Sequence, residues 1–279
     1  MKRQAGSGCG RSRRRGNLHL LLGSLLVVGV VILALVGPLL SPYSPREQVL
    51  ARSNRPPDGE HWFGTDSLGR DLFTRTLYGA RISLGIVLAV VLLNLCIGLP
   101  YGALAGWYGG LVDLLLMGVL DVLYGVPSLL YIIFFLVILG PGLTGVFITL
   151  GLVYWLDLAR QVRNQVLVLK EADFVLAARA LGLGPWQIFW QELLPNMLPP
   201  LAVTLLFHIP QAIFLEAFLS YLGLGVQAPW ASWGALVAEG VANMRSAPWQ
   251  LFFPAALISL TILGFNLLGE GLQQLTRDD

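Results

Sequence analysis

KEADFVLAARALGLGPWQIFWQELLPNMLPP, residues 170–200, reads as helical yet carries Lys170, Glu171, Asp173, Arg179 and Glu192, in a chain that is 56% hydrophobic and only 12% charged. Phe174, Ala177, Ala178 and Leu181 recur at i, i+3, i+4 and i+7, which predicts one apolar stripe of a short helix with Asp173 and Arg179 beside it. Gly182, Gly184 and Pro185 then end that helix, because glycine accepts a left-handed cap and proline cannot extend the hydrogen-bond ladder. A second stripe, Trp186, Phe189, Trp190, Leu193 and Leu194, runs opposite Gln187, Gln191 and Glu192 until Pro195 and the Pro199–Pro200 pair break it. Two short amphipathic helices joined by a glycine elbow suit a loop lying against both a membrane surface and another protein; an ordinary interfacial loop has the same periodicity.

Outward from this stretch, the 279 residues have a mean hydropathy of +0.71, too apolar and too poor in charge for a soluble domain, so the chain is an integral membrane protein. The formal net charge of +2 decides little; the placement of the arginines decides more. Its two cysteines, Cys9 in a basic tail and Cys96 in an apolar run, offer neither a disulfide framework nor a CxxC metal site. The tail, residues 1–17, holds Lys2, Arg3, Arg11, Arg13, Arg14 and Arg15 and no acid. Before an apolar span this is the pattern of a cytoplasmic retention signal, with a nucleic-acid arm as the less favoured use. Residues 18–40 suffice to cross a ~30 Å core at ~1.5 Å per residue. The run exceeds a signal-peptide core of ~7–15 residues and no A-x-A site follows, so it reads as an uncleaved first transmembrane helix with its N-terminus inside.

Residues 41–79 then form an extracytoplasmic loop in which Arg46, Arg52, Arg55, Arg70 and Arg75 run against the positive-inside rule, beside Glu47, Asp58, Glu60, Asp66 and Asp71. Leu72, Phe73, Leu77 and Tyr78 suggest an interfacial helix at its end. Within the core, residues 80–272, apolar runs recur at about 80–106, 112–139, 143–159, 197–222 and 250–272. The expected fold is therefore an all-α polytopic membrane bundle of six transmembrane helices, both termini cytoplasmic, with a cytoplasmic loop at 160–196 and a C-terminal tail at 273–279. Arg160, Arg163, Lys170 and Arg179 in that loop agree with the positive-inside rule. Pro127 is expected to break the third crossing and Pro210 the fifth, and the fourth run is short for a span. Gly98, Gly102 and Gly106 allow close helix approach, within the bundle in preference to between subunits. Trp230, Trp233 and Trp249 fit a membrane boundary or a docking surface for an external protein.

Ionisable groups in or beside the spans are few: Asp113, Asp121, Asp157, Glu216 and Glu270. Asp113 and Asp157 read as helix-end residues, whereas Asp121 and Glu216, with Pro127 and Pro210, are the candidate pathway or gating residues. The only lysines, Lys2 and Lys170, follow no glycine-rich turn, and His19, His61 and His208 form no HExxH pattern, so neither a phosphate loop nor a metal set is expected. Gly-x-Ser-x-Gly is also absent. A stand-alone secondary transporter would need internal repeats and an intramembrane ion site, and a membrane enzyme a clustered nucleophile or metal set; the sequence carries none of these. If active transport is the task, its energy has to come from another subunit.

Several stretches together resemble one family. HWFGTDSLGRDLFTRTLYGARISL (61–84), ADFVLAARALG (172–182) with LLPNMLPP (193–200), EAFLSYLGLGVQAPWASWG (216–234) and PWQLFFP (248–254) with LGFNLLGEGL (263–272) are similar to inner-membrane permease subunits of bacterial ABC importers. The similarity is to the C-type subunit of the dipeptide/oligopeptide/nickel group. It implies a type I importer permease fold in the bacterial inner membrane and a homologous second permease completing a heterodimer. It also implies two ABC ATPase subunits using ATP and Mg, and an extracytoplasmic binding protein; no cofactor and no nucleic acid is expected on this chain. Peptides are the leading substrate class, with nickel or a metal chelate as the alternative. The family's cytoplasmic EAA loop falls on Ala177, Ala178 and Gly182, closed by Leu194 and Pro195, with Leu176 where the motif has an acid. By resemblance, Phe174, Ala177, Ala178, Arg179, Leu181 and Gly182 form the helix that meets the ATPase.

Overall fold

The computed structural model describes residues 6–227 and 230–278, and these are helical apart from connecting loops. In order they form α1 (Gly6–Leu40), α2 (Leu72–Tyr108), α3 (Gly110–Tyr124), α4 (Ser128–Leu139), α5 (Leu143–Leu169) and α6 (Asp173–Ala180). A single turn, α7 (Pro185–Ile188), leads through a π turn (Phe189–Leu193) into α8 (Leu194–Tyr221), followed by α9 (Trp233–Ala242) and α10 (Trp249–Asp278).

Five stretches, 15–40, 72–108, 143–169, 185–221 and 249–276, are long and apolar enough to cross a membrane, and α3 with α4 qualifies as a pair bent by 86°. Packing decides how that pair counts. Gly98, Gly102 and Gly106 of α2 meet Leu158, Val162 and Val166 of α5 in turn, so the two helices run parallel. The chain must return across the bundle between them, and α3 with α4 is the segment that does so. Gly16 and Gly23 of α1 meet Gln274 and Leu268 of α10, an antiparallel pair that leaves both ends of the chain at the same end of the bundle. An even number of passages is required, and the bent pair makes it six. These approaches need glycine: a Cβ at Gly102 would collide with the carbonyl oxygen of Ala159, and one at Gly23 would lie 2.7 Å from Leu268 N. The Gly98/Gly102/Gly106 stripe is thus used within the bundle, as expected.

Several expectations are corrected. The residues after Asp71 form no separate interfacial helix. Asp71 Oδ2 accepts from Thr74 N at 2.7 Å, capping α2, which then continues for 37 residues, about 55 Å at 1.5 Å per residue. Pro127 breaks the third crossing, but α8 runs unbroken through Pro199, Pro200 and Pro210, because neighbouring helices hold its axis despite the missing donors. α5 reaches Leu169, ten residues past the apolar run, since Val162 and Val166 keep a buried back face under a polar front. The second short helix of residues 185–196 is the start of the α8 crossing. Trp233 is wholly buried, its Nε1 donating to Thr76 O at 3.0 Å, and so is no boundary residue.

The loop before α2 is pinned across the end of the bundle. Arg75 donates to Asp66 Oδ2 at 2.5 Å and to Glu239 of α9 at 2.6 and 3.0 Å; Arg70 Nε reaches Asp66 Oδ2 at 2.6 Å. Gln250 Nε2 of α10 donates to Asn54 Oδ1 and Thr65 O at 2.8 and 3.0 Å. Two of the arginines that ran against the positive-inside rule are therefore consumed internally. In the same loop, the His61 amide donates to Asp58 Oδ1 at 2.6 Å and holds that carboxyl below its ordinary range.

Candidate coupling surface and polar face

α6 is short because its end is fixed by a full Schellman motif. Gly182 N donates to Arg179 O at 2.9 Å and Leu183 N to Ala178 O at 3.1 Å, with Gly182 in the left-handed region at φ +85°. Asp173 in its first turn and Arg179 in its last complement the helix dipole. After the elbow, Gly184 N donates to Gln187 Oε1 at 3.1 Å, Pro185 opens α7, and Leu194 N reaches back five residues to Phe189 O.

The apolar stripe of α6 is split between two destinations. Val175 and Ala178 are buried with Leu158, Val162, Ile188 and Leu193 in one core cluster, which roots α6 on α5 and the start of α8. Phe174, Ala177 and Leu181 face outward, Leu181 at 81% exposure, with Leu176 beside them. Ala178 therefore belongs to the anchoring face and not to the outer ridge. Arg179 stacks on Trp107 at 4.8 Å and Lys170 Nζ donates to Gly106 O at 3.0 Å, so the segment is also tied to the end of α2. Leu194 and Pro195 are the first residues of α8, directly after the π turn.

The four candidate pathway residues fall in two places. Glu216 is 1% exposed and accepts from Ser220 Oγ at 2.9 Å and Ser83 Oγ at 3.4 Å, while Ser83 Oγ accepts from Trp233 N at 3.1 Å. It fastens α9 to α2 and α8. Pro210 is buried in unbroken α8. Asp121 and Pro127 instead lie on the α3–α4 arm, where Asp121 is 69% exposed and accepts from Arg160 Nη2 at 2.6 Å. Arg163 likewise bridges to Asp113 at 2.5 Å, and Tyr124 OH donates to Asp157. The set Asp157, Arg160 and Arg163, three residues apart on α5, was missed as a group. Its signal, D-x-x-R-x-x-R, was in the sequence, but its partners lie 33–50 residues away.

The chain is thus a six-crossing bundle with an exposed apolar ridge at one end, a pinned cap at the other and a polar exposed face. Residues 98–277 match the family described as binding-protein-dependent transport system inner membrane component, and residues 19–57 match the N-terminal transmembrane domain of oligopeptide transport permease C. The chain belongs to this family of inner-membrane, multi-pass permeases. It is 45% identical over 262 residues to the dipeptide transport system permease protein DppC of Bacillus subtilis (strain 168), covering 94% of this chain and 82% of that one. It is 42% identical over 261 residues to the oligopeptide transport system permease protein OppC of the same organism, covering 94% and 86%. To the OppC of Haemophilus influenzae it is 39% identical over 255 residues, covering 90% and 82%.

Proposed function

We propose that this chain is one of two pathway-forming permeases of an ATP-driven importer of short peptides, coupled to its ATPases through α6. Both termini and α6 lie in the cytoplasm, and the pinned 41–71 loop with α9 faces outward toward the binding protein. ATP and Mg are handled by two separate ATPase subunits, and a homologous permease completes the pathway. The peptide class rests on the named substrates of relatives up to 45% identical. One observation carries the coupling reading: Phe174, Ala177 and Leu181 are exposed on a helix whose opposite face is fixed in the core by Val175 and Ala178. An apolar ridge left bare on a rigidly rooted helix is complementary to a cleft in another protein. Movement of that partner reaches α5 and α8 through the buried face and α2 through Arg179 and Lys170.

The test is reconstitution with the neighbouring-gene permease, two ATPases and the binding protein in proteoliposomes. Uptake of a tripeptide with peptide-dependent ATP hydrolysis is the expected result; a loaded binding protein that drives neither overturns the peptide assignment. Leu181→Asp and Phe174→Asp, both at exposed positions, should weaken ATPase co-purification by roughly tenfold or more. Undiminished co-purification of both variants would remove α6 from the interface.

A further inference from the structure

We infer that Tyr124, Asp157 and Arg160, together with Asp121, form a transit site that passes the charged ends of a zwitterionic peptide along the α3–α5 face; this rests on the peptide-import reading above. Arg160 lies nine residues before the end of α5 at Leu169, just past the apolar run that ends at residue 159, with Asp157 inside that run's last turn, so the pair sits at the edge of the span. Asp121 and Asp157 are exposed, and the Arg160 side chain is 43% exposed. Ionised groups there face water or protein and not lipid. On α3 the exposed Leu114 lies seven residues before Asp121 and the exposed Leu115 and Val122 lie on the adjoining side, so the polar groups form the edge of an otherwise apolar surface.

The chemistry of this polar edge matches a peptide's two ends. Asp157 and Arg160, three residues apart on α5, lie on one side of the helix, so an anion site and a cation site sit within a single turn. Arg160 gives only Nη2 to Asp121 and rests on the Tyr124 ring at 4.3 Å, leaving further N–H donors for a carboxylate. Asp157 receives one hydrogen bond, from Tyr124 OH, and keeps acceptor capacity for an ammonium group. The existing pairs are exposed, hence weak and exchangeable. A peptide carboxylate displaces Asp121 from Arg160, and its ammonium displaces Tyr124 from Asp157. Pairing to the termini ignores side-chain identity and is loose enough to release, which a conduit for varied peptides requires. The 86° bend between α3 and α4 begins at the residue after Tyr124 and holds this face open beside the break.

The test uses the reconstituted transporter with three versions of one tripeptide: free, N-acetylated and C-amidated. Each variant's uptake is divided by wild-type uptake of the same peptide, which cancels the preferences of the binding protein. Arg160→Gln should lower uptake of the free and acetylated peptides by roughly tenfold and of the amidated one by less than about twofold, with Arg160→Lys restoring most of the loss. Asp157→Asn should spare the acetylated peptide instead. Equal losses on all three peptides, or none, overturn the site. A second readout does not depend on substrate identity. Asp157→Cys, in a Cys9→Ser/Cys96→Ser background, should react with a charged, membrane-impermeant thiol reagent in the assembled complex, and transported peptide should slow that reaction. Failure to react places this face against the second permease or lipid and sinks the proposal, whereas reaction without any peptide uptake by the wild type would instead refute the peptide-import reading.

Discussion

Gly182 is the residue whose role follows from the backbone alone. Its φ of +85° strains any L side chain, while an added Cβ would meet no atom within 4 Å. Gly182→Ala should therefore cost about 1 kcal/mol through conformation and not through a clash. Expected outcomes are a small fall in the unfolding midpoint in detergent and a larger fall in peptides moved per ATP, because the angle of α6 is what changes. Gly102→Leu is the steric counterpart: its side chain meets the Ala159 carbonyl, and α2 with α5 should separate, seen as loss of monodisperse protein in size-exclusion chromatography. The glycine elbow was legible in the sequence because a Schellman cap is local. The side of α6 that faces outward was not, since periodicity gives the spacing of a stripe and not what covers it; Ala178 went inward for that reason. Arg160 and Asp157 were read singly, one as a positive-inside residue and one as a helix-end residue, because the partners that join them sit on another helix.

At the scale of elements, crossings and their order were readable from apolar runs, and helix ends were not. An apolar run ends where lipid ends, while a helix continues as long as one face finds protein, as α5 does through Val162 and Val166. Proline gave one correct break and one incorrect one. Pro127 is extended at ψ 127° and follows Gly125, so the chain turns there, whereas Pro210 sits in a helix supported on both sides. The bend is measurable. Spin labels at Val112→Cys and Ile138→Cys would be about 39 Å apart on a straight helix at 1.5 Å per residue, and an 86° bend shortens this to about 25–30 Å. A distance near 39 Å in the assembled transporter would show that α3 and α4 form one straight rod.

At the scale of the whole molecule, the Arg75–Asp66–Glu239 network joins the first loop to α9, with Arg75 and Glu239 164 residues apart. Arg75→Ala leaves Asp66 buried with Arg70 alone and should destabilise the chain by about 3 kcal/mol, more than Glu239→Gln at a carboxylate that is 42% exposed. The comparison of their thermal midpoints checks it; equal midpoints would mean that the network adds nothing beyond surface pairing. None of this was legible in the loop's matching charge counts, because counting does not say which charges meet. The pairing of α1 with α10 bears on how the protein is made. α1 leaves the ribosome long before α10, yet the two pack together through glycines at 16, 23, 264 and 271. During synthesis α1 can rest on α2, through Arg81 to the Ala34 and Leu35 carbonyls and Gly37 against Leu77, but its groove for α10 stays unfilled until that helix has been inserted. A ribosome that stalls before residue 264 leaves an open bundle, and such truncated chains should be the ones a membrane protease or insertion chaperone recognises first.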